Sequence, residues 1–469
     1  MSLFGNMFVG YTGLVTNTMG MRAVADNVAN LNTTGYKESK VEFMNQLVRT
    51  CDVFGNEKGC GSFVKSVVTL YSSGPIQSTD RPTDLAISGK GFFIVSDSDG
   101  NIFYTRDGEF YLNEVDEEHF ALQNTLGMYL LGADPDATEA DLTSLKPYLI
   151  PKEMDAKATN LIQTQLIFDS RKKPNTRSLL EKYNYTTNSE HPLSENDYDW
   201  VWDLPIYDSL GDKIDLKLYA DRGESANEYE ILVALENPEL DGRGDGAFKG
   251  AFLYGILTFG GSGEIQSAEF YNIPSPNSNV SDILNSQNQI DLTSTGKPSF
   301  TLNLNGNTQT ITLDLGFSVN SDGSINRSGN SSKLLASAFA QLLYNQDGYP
   351  AGLFDRIEII TDEGLIKAWY TNGKDIDVSK IFLADFTGYE DSLEKKGSNL
   401  FEPRAGVEPV IFAPGTGSRA RIISGALELS NVDLAEEMVD LITLQRAFQS
   451  NARVITTADE ILAEFLRQT

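Results

Sequence analysis

The last forty residues constrain this chain more than any other stretch. Leu434, Leu441, Phe448, Ile455 and Leu462 recur every seven residues, and Met438, Ala452 and Leu466 supply the intervening apolar position at spacing four. This is the a/d pattern of a helix that needs a partner helix along its length. Asp433 and Glu436 have the spacing of a capping box, in which the Asp433 side chain is expected to accept the Glu436 amide and the Glu436 carboxylate to reach back to the amide of Asp433. Acidic residues crowd the first turn and Arg467 stands in the last, as the helix dipole favours. With no proline or glycine from Asp433 to Arg467, a continuous helix spans roughly 50 Å.

The expected partner lies at the other end of the chain. Met7, Tyr11, Leu14, Thr18, Met21, Ala25 and Val28 repeat the four-three spacing, and Gly35 is a natural left-handed stop beyond them. Gly10, Gly13 and Gly20 interrupt this helix, each costing up to about 1 kcal/mol relative to alanine. Such a helix is expected to gain order mainly from neighbours, other copies of the chain included.

At these ends the sequence resembles a known family. Asn27-Val28-Ala29-Asn30-Leu31-Asn32-Thr33-Thr34-Gly35-Tyr36 is similar to the N-terminal signature of flagellar rod and hook proteins. Ser424 to Leu434, which includes Ser430, Asn431 and Asp433, followed by Gln445-Arg446-Ala447-Phe448-Gln449-Ser450-Asn451, resembles their C-terminal signature.

Composition sets wider limits. A chain of 469 residues exceeds one ordinary core. Its 66 acidic and 37 basic residues give a formal charge of −29, which opposes binding to nucleic acid and to anionic membranes. The charge is uneven: residues 1–48 hold three acidic and three basic side chains, and residues 425–469 hold eight and three. The remaining excess lies in the middle, as expected of a part that faces water.

The first 21 residues contain no lysine or arginine, and Gly5, Asn6, Gly10 and Gly13 break any apolar run, so neither a cleaved signal peptide nor a membrane helix is expected. Residue physics alone points to the cytoplasm. The resemblance implies export through the flagellar type III apparatus, without a cleaved signal peptide, to an extracellular hook on the basal body. Cys51 and Cys60 flank a short loop with no histidine nearby; they form a disulfide in an oxidising exterior or remain reduced thiols.

From about Ser62 the period falls from helical to two. Strands are predicted at residues 63–71, 85–87, 91–95 and 102–106, with Asp97-Ser98-Asp99-Gly100-Asn101 as a hairpin turn. As a calcium loop this turn lacks the third acidic ligand and the distal glutamate. Residues 89–110 and 126–132 are similar to the family's β-rich first domain, although Val115 to His119 departs from the glycine turn expected there. Residues 206–219 read as two strands around Ser-Leu-Gly-Asp and resemble hook proteins more than the shorter rod proteins. Further strands are expected at 252–259, 299–304, 308–313, 357–360 and 365–370, and a short helix at 331–344 through Leu334, Leu335, Phe339, Leu342 and Leu343.

The expected architecture is mixed α and β and multidomain, with a terminal coiled-coil domain of residues 1–32 and 432–469 around nested, mainly-β domains. A connecting region covers 33–75 and 405–431, an inner β domain 76–150 and 366–404, and an outer β region 151–365, divisible near the Asn- and Ser-rich stretch 272–296. His119 and His191 sit outside any nucleophile motif, and no phosphate loop occurs. No enzyme activity, cofactor or metal is expected. The resemblance implies a hook subunit that polymerises with itself into a curved, flexible tube, with rod, hook cap and hook-filament junction proteins as partners. A distal rod protein of the same family and a secreted surface adhesin are the alternatives.

Overall fold

The computed structural model describes residues 3–49, 57–189, 191–225, 227–304, 306–415 and 420–468. The pairing of Cys51 with Cys60 and the side chain of Leu466 lie outside the described residues. Two compact units form: Met1–Lys152 with Phe354–Thr469, and Glu153–Leu353.

In the first unit the two chain ends meet. Helix α1 (Leu3–Ala29) and helix α2 (Leu434–Gln468) run antiparallel. Their register is set by Gly10 against Ile455, Gly13 against Asn451, Gly20 against Leu444 and Asn27 against Glu437. A long antiparallel ribbon, β1 (Ser39–Arg49) with β2 (Glu57–Thr69), packs on another side of α1. The Thr16 hydroxyl is 3.0 Å from Ser62 Oγ of that ribbon.

Beyond the ribbon, short strands bring N- and C-terminal segments together. Ile76–Ser78 pairs with Ala426–Glu428, and Leu85–Ser88 with Arg421–Ser424, both antiparallel. The hairpin Phe92–Ser96/Ile102–Thr105 continues into Leu383–Asp385. Its turn is the expected one: Asp97 Oδ1 accepts the amides of Asp99 and Asn101, and Gly100 has φ +86°. Phe92, Tyr104, Phe382, Phe386 and Phe401 form the core behind these strands, with rings largely tilted or edge-on at 4.9–6.1 Å.

The second unit is a β-sandwich. One sheet is an antiparallel meander of Trp200–Tyr207, Lys213–Arg222, Glu228–Leu235, Ala251–Phe259 and Ile265–Asn272. The other is built on Leu161–Asp169, which is parallel to Asn307–Asp314 and to Lys333–Leu335 and antiparallel to Ala340–Gln346. Ile162, Leu166 and Phe168 from one sheet share a core with Leu204, Leu216, Ile231 and Phe259 from the other. The Ser-Leu-Gly-Asp connection is a tight turn in which Asp208 Oδ1 accepts the amides of Leu210 and Asp212. Within residues 272–296, Ile273 and Ile283 lie over the opposite face of the meander and pack with Leu180, Leu232 and Tyr254, while Leu292 joins the sandwich core. This is why Glu228–Leu235 is apolar and buried almost continuously instead of alternating.

The helix expected at 331–344 is replaced by two strands, Lys333–Leu335 and Ala340–Gln346. Leu166 and its neighbours in the buried strand Leu161–Asp169 need backbone partners on their open edge. That requirement overrides the helical spacing of the leucines, and Leu342 is left exposed.

Candidate functional site

The two signature segments converge at the base of the helix pair. Asn27, 1% exposed, is the centre. Its Oδ1 accepts the Ser39 amide at 2.9 Å, while its Nδ2 donates to Ser39 O at 3.0 Å and to Glu437 Oε1 at 2.8 Å. One side chain thus ties α1 to the start of the ribbon and to the first turn of α2. The Tyr36 hydroxyl donates towards Asp26 and Asn27, and Lys395 Nζ lies 5.0 Å from the Tyr36 ring centroid. Burial and the Asp26 carboxylate push the Tyr36 phenol up to about 12.

A buried charge cluster lies alongside. Lys37 Nζ donates to Glu428 Oε1 at 2.6 Å and to Ser72 O at 2.8 Å. Arg106 donates to Glu428 Oε2 at 2.9 Å and to Gly89 O at 2.8 Å. Burial lowers the Lys37 ammonium from its ordinary value, against the opposing pull of Glu428. Glu428 also accepts the Gly74 amide, so both of its oxygens are engaged, as a buried carboxylate requires.

The remaining signature residues hold the connecting turns. Thr33 Oγ1 donates to Asn30 Oδ1 at 3.2 Å, and the backbone Gly35 amide to Glu428 O at 2.8 Å. Gly35 has φ +68°, and a Cβ there would stand 2.6 Å from the backbone of Arg106 and Asp107; only glycine fits. Asn431 accepts the Glu38 amide and donates to Leu70 O and Ser72 Oγ. Asp433 Oδ1 accepts from Ala435 at 2.7 Å and Glu436 at 3.4 Å, capping α2. Ser430 is buried and Ala29 closes α1.

The helix faces differ from those the periodicity predicts. The surface that α1 buries is Gly10, Gly13, Thr16, Gly20, Val24 and Asn27, not the stripe of Met7, Tyr11, Leu14, Thr18, Met21, Ala25 and Val28. Tyr11 is 59% exposed, and Phe8, Val15 and Met19 are exposed as well. The reason is close approach: a Cβ on Gly13 would be 2.5 Å from the Asn451 amide, so small residues decide which face meets α2.

On α2, Leu441, Phe448, Ile455 and Leu462 are half-buried. Of these Ile455 meets α1 at Gly10, and between them Glu437, Leu444 and Asn451 meet it as well; Ala458 is buried. Leu434 and Met438 are exposed, and Ala452 is half-buried. The polar members Asn27, Asn451 and Glu437 are invisible to an apolar-periodicity argument. The two signatures contained Asn27 and Asn451, and nothing in the sequence singled out Glu437.

Among the described residues no group of three or more His, Cys, Asp and Glu side chains is arranged to hold a metal. No described helix is long and apolar enough to cross a membrane. His119 Nδ1 is 2.9 Å from Asp116 Oδ1 in an exposed hairpin turn, and His191 is exposed.

Comparison with known proteins first defines a class. Residues 86–158 match the flagellar hook protein FlgE/F/G D1 domain, residues 175–349 the flagellar basal body protein FlaE D2 domain, and residues 423–468 the flagellar basal body rod FlgEFG protein C-terminal region. These are structural flagellar families, not enzyme families. Full-length relatives narrow the class. The flagellar hook protein FlgE of Borreliella burgdorferi is 28% identical, with 98% of this chain and 99% of that protein covered. The FlgE of Treponema pallidum is 27% identical over 97% of this chain and 98% of that protein, and that of Salmonella typhimurium 27% over 96% of each. Over nearly its whole length the chain is similar to flagellar hook proteins. A crystal structure of Helicobacter pylori flagellar hook protein FlgE2 aligns with a TM-score of 0.46 at 15% identity, covering 75% of this chain and 100% of that one.

Proposed function

We propose that this chain is the subunit of the flagellar hook and polymerises with itself into a curved tube that transmits motor torque to the filament. The observation that carries the reading is the apolar surface left on both terminal helices. Phe8, Tyr11, Val15 and Met19 on α1 and Val439, Ile442, Val454 and Ile461 on α2 are exposed in a chain of net charge −29. Large apolar side chains on two adjoining helices mark a contact surface. Head-to-tail repetition of such a contact generates an open helical polymer.

In this reading Met7, Tyr11, Leu14, Met21 and Val28, with Leu434 and Met438, pack against neighbouring copies as a coiled-coil inner layer. Residues 1–32 and 432–469 form that layer, and 33–75 and 405–431 connect it to the β domains. The acidic β domains make polar contacts that slide as the tube bends. Rod, hook cap and hook-filament junction proteins adjoin the tube, and the chain reaches it through the type III export apparatus.

Electron microscopy of the full chain beside a version lacking residues 1–31 and 432–469 tests this reading. Curved tubes from the full chain alone are expected. Straight tubes would instead indicate a rod-like shaft, and tubes from the truncated chain would remove the terminal helices from assembly.

A further inference from the structure

Glu437 holds an unmet demand. It is 5% exposed; its Oε1 accepts from Asn27, and its Oε2 is buried with no hydrogen-bond partner among the described residues. It lines a cleft of about 180 Å³ between α1, the start of β1 and α2. Facing it there are Glu38 just before β1, Lys40 from β1, Asp440 from α2 and Asn27 from α1. Burial raises the Glu437 carboxyl, and the nearby carboxylates of Glu38, Asp440 and Glu436 raise it further. Glu38, Glu437 and Asp440 outnumber Lys40, which acts on Glu38, so the cleft favours an added cation that donates hydrogen bonds.

The same helix carries the complementary groups. Arg446 and Arg453 are exposed, two turns apart, on the side of α2 away from α1. Neither makes an ion pair among the described residues. Arg22 has Asp26 one turn away and Arg467 has Glu464, whereas Arg446 and Arg453 have no carboxylate three or four residues distant on either side. Each therefore has a free guanidinium that its own helix cannot pair. Arginine, planar and weakly hydrated, suits a desolvated carboxylate better than lysine does.

We propose that the Glu437 cleft receives a guanidinium from the Arg446–Arg453 face of α2 in a second copy of this chain. The pairing rests on the polymerisation reading above and gives it a specific polar contact, one that fixes the register between helices whose other contacts are apolar.

The test is the critical concentration for polymerisation of the full chain, measured by sedimentation. The variants are Glu437→Gln, Arg446→Gln, Arg453→Gln and the two Glu437/Arg doubles. Glu437→Gln keeps the acceptor for Asn27, and its critical concentration is expected to rise by about tenfold or more. One arginine variant should match it, and the double containing that arginine should be no worse than either single. Unchanged or easier assembly of Glu437→Gln overturns the pairing, as do doubles whose effects multiply. If Glu437→Gln also lowers the melting midpoint of the monomer, the arginine variants decide, and normal assembly of both refutes the proposal. An unaltered chain that forms no polymer counts against the assembly reading itself, and the pairing falls with it.

Discussion

Lys37 and Glu428 lie 391 positions apart in the chain, yet Nζ and Oε1 are 2.6 Å apart and neither side chain is exposed to solvent. With Arg106 on the second oxygen, this cluster fastens the N-terminal turn to the last strand before α2. Replacing Lys37 by methionine leaves the Glu428 Oε1 side with only the Gly74 amide. A loss of about 3 kcal/mol is expected, in the range for breaking a buried pair. Urea unfolding of the monomer monitored in the first unit checks it, and a change below about 1 kcal/mol would show the pair to be dispensable.

The helix pair depends on Gly13. A Gly13→Val chain must displace the Asn451 side chain from its place against α1, so α1 and α2 should loosen at that level. Amide exchange in both helices is expected to accelerate while the sandwich of residues 153–353 keeps its protection. Unchanged exchange in α2 would mean that the helices do not depend on each other.

Substituting Leu441 and Phe448 together by Asp places charge on two half-buried heptad positions of α2. Assembly should be abolished with the β units still folded, read as an unchanged near-ultraviolet dichroism of the monomer. Normal tubes from this variant would remove the heptad positions from any role in the polymer.

The second unit can be excised. Lys152 O accepts the Phe354 amide at 2.8 Å, so the cut ends already adjoin. A chain with residues 153–353 replaced by a short glycine linker is expected to retain assembly and to differ in tube curvature or stiffness. Complete loss of assembly would show that the outer β region is part of the polymer's essential contact.

Asp107 gives a pH dependence. Burial, with Glu109 and Asp84 nearby, raises its carboxyl from 3.8 to about 6. The folded chain therefore binds this proton more tightly than the unfolded chain does between those values. Stability from this group is fully present below about pH 4 and is lost as pH rises through about 6. Asp107→Asn should remove that slope and raise stability at pH 7 by about 1–2 kcal/mol, measured by chemical denaturation across pH. A slope that persists in the variant would assign it to another group.

The residues themselves determined what depends on near neighbours. The heptad from Leu434 to Leu462 specified a long helix because its period is a local property, and Asp433 marked its start. Asp97 and Asp208 specified tight turns because an Asx side chain closes them within four residues. The sequence signatures also located the junction around Asn27 and Asn431, without showing what each side chain holds. Tertiary structure decided the rest. Leu334 and Leu342 have helical spacing, but the open edge of Leu161–Asp169 drew their backbone into strands. The apolar stripe of Tyr11 and Leu14 has the better periodicity, yet α2 lies against Gly10, Gly13 and Gly20 because close approach depends on the size of the facing residues. Which carboxylate among 66 would be buried against Lys37 and Arg106, and which would keep an unpaired oxygen, followed from contacts hundreds of residues apart. Desolvation and pairing are properties of the folded surroundings, and no local pattern encodes them.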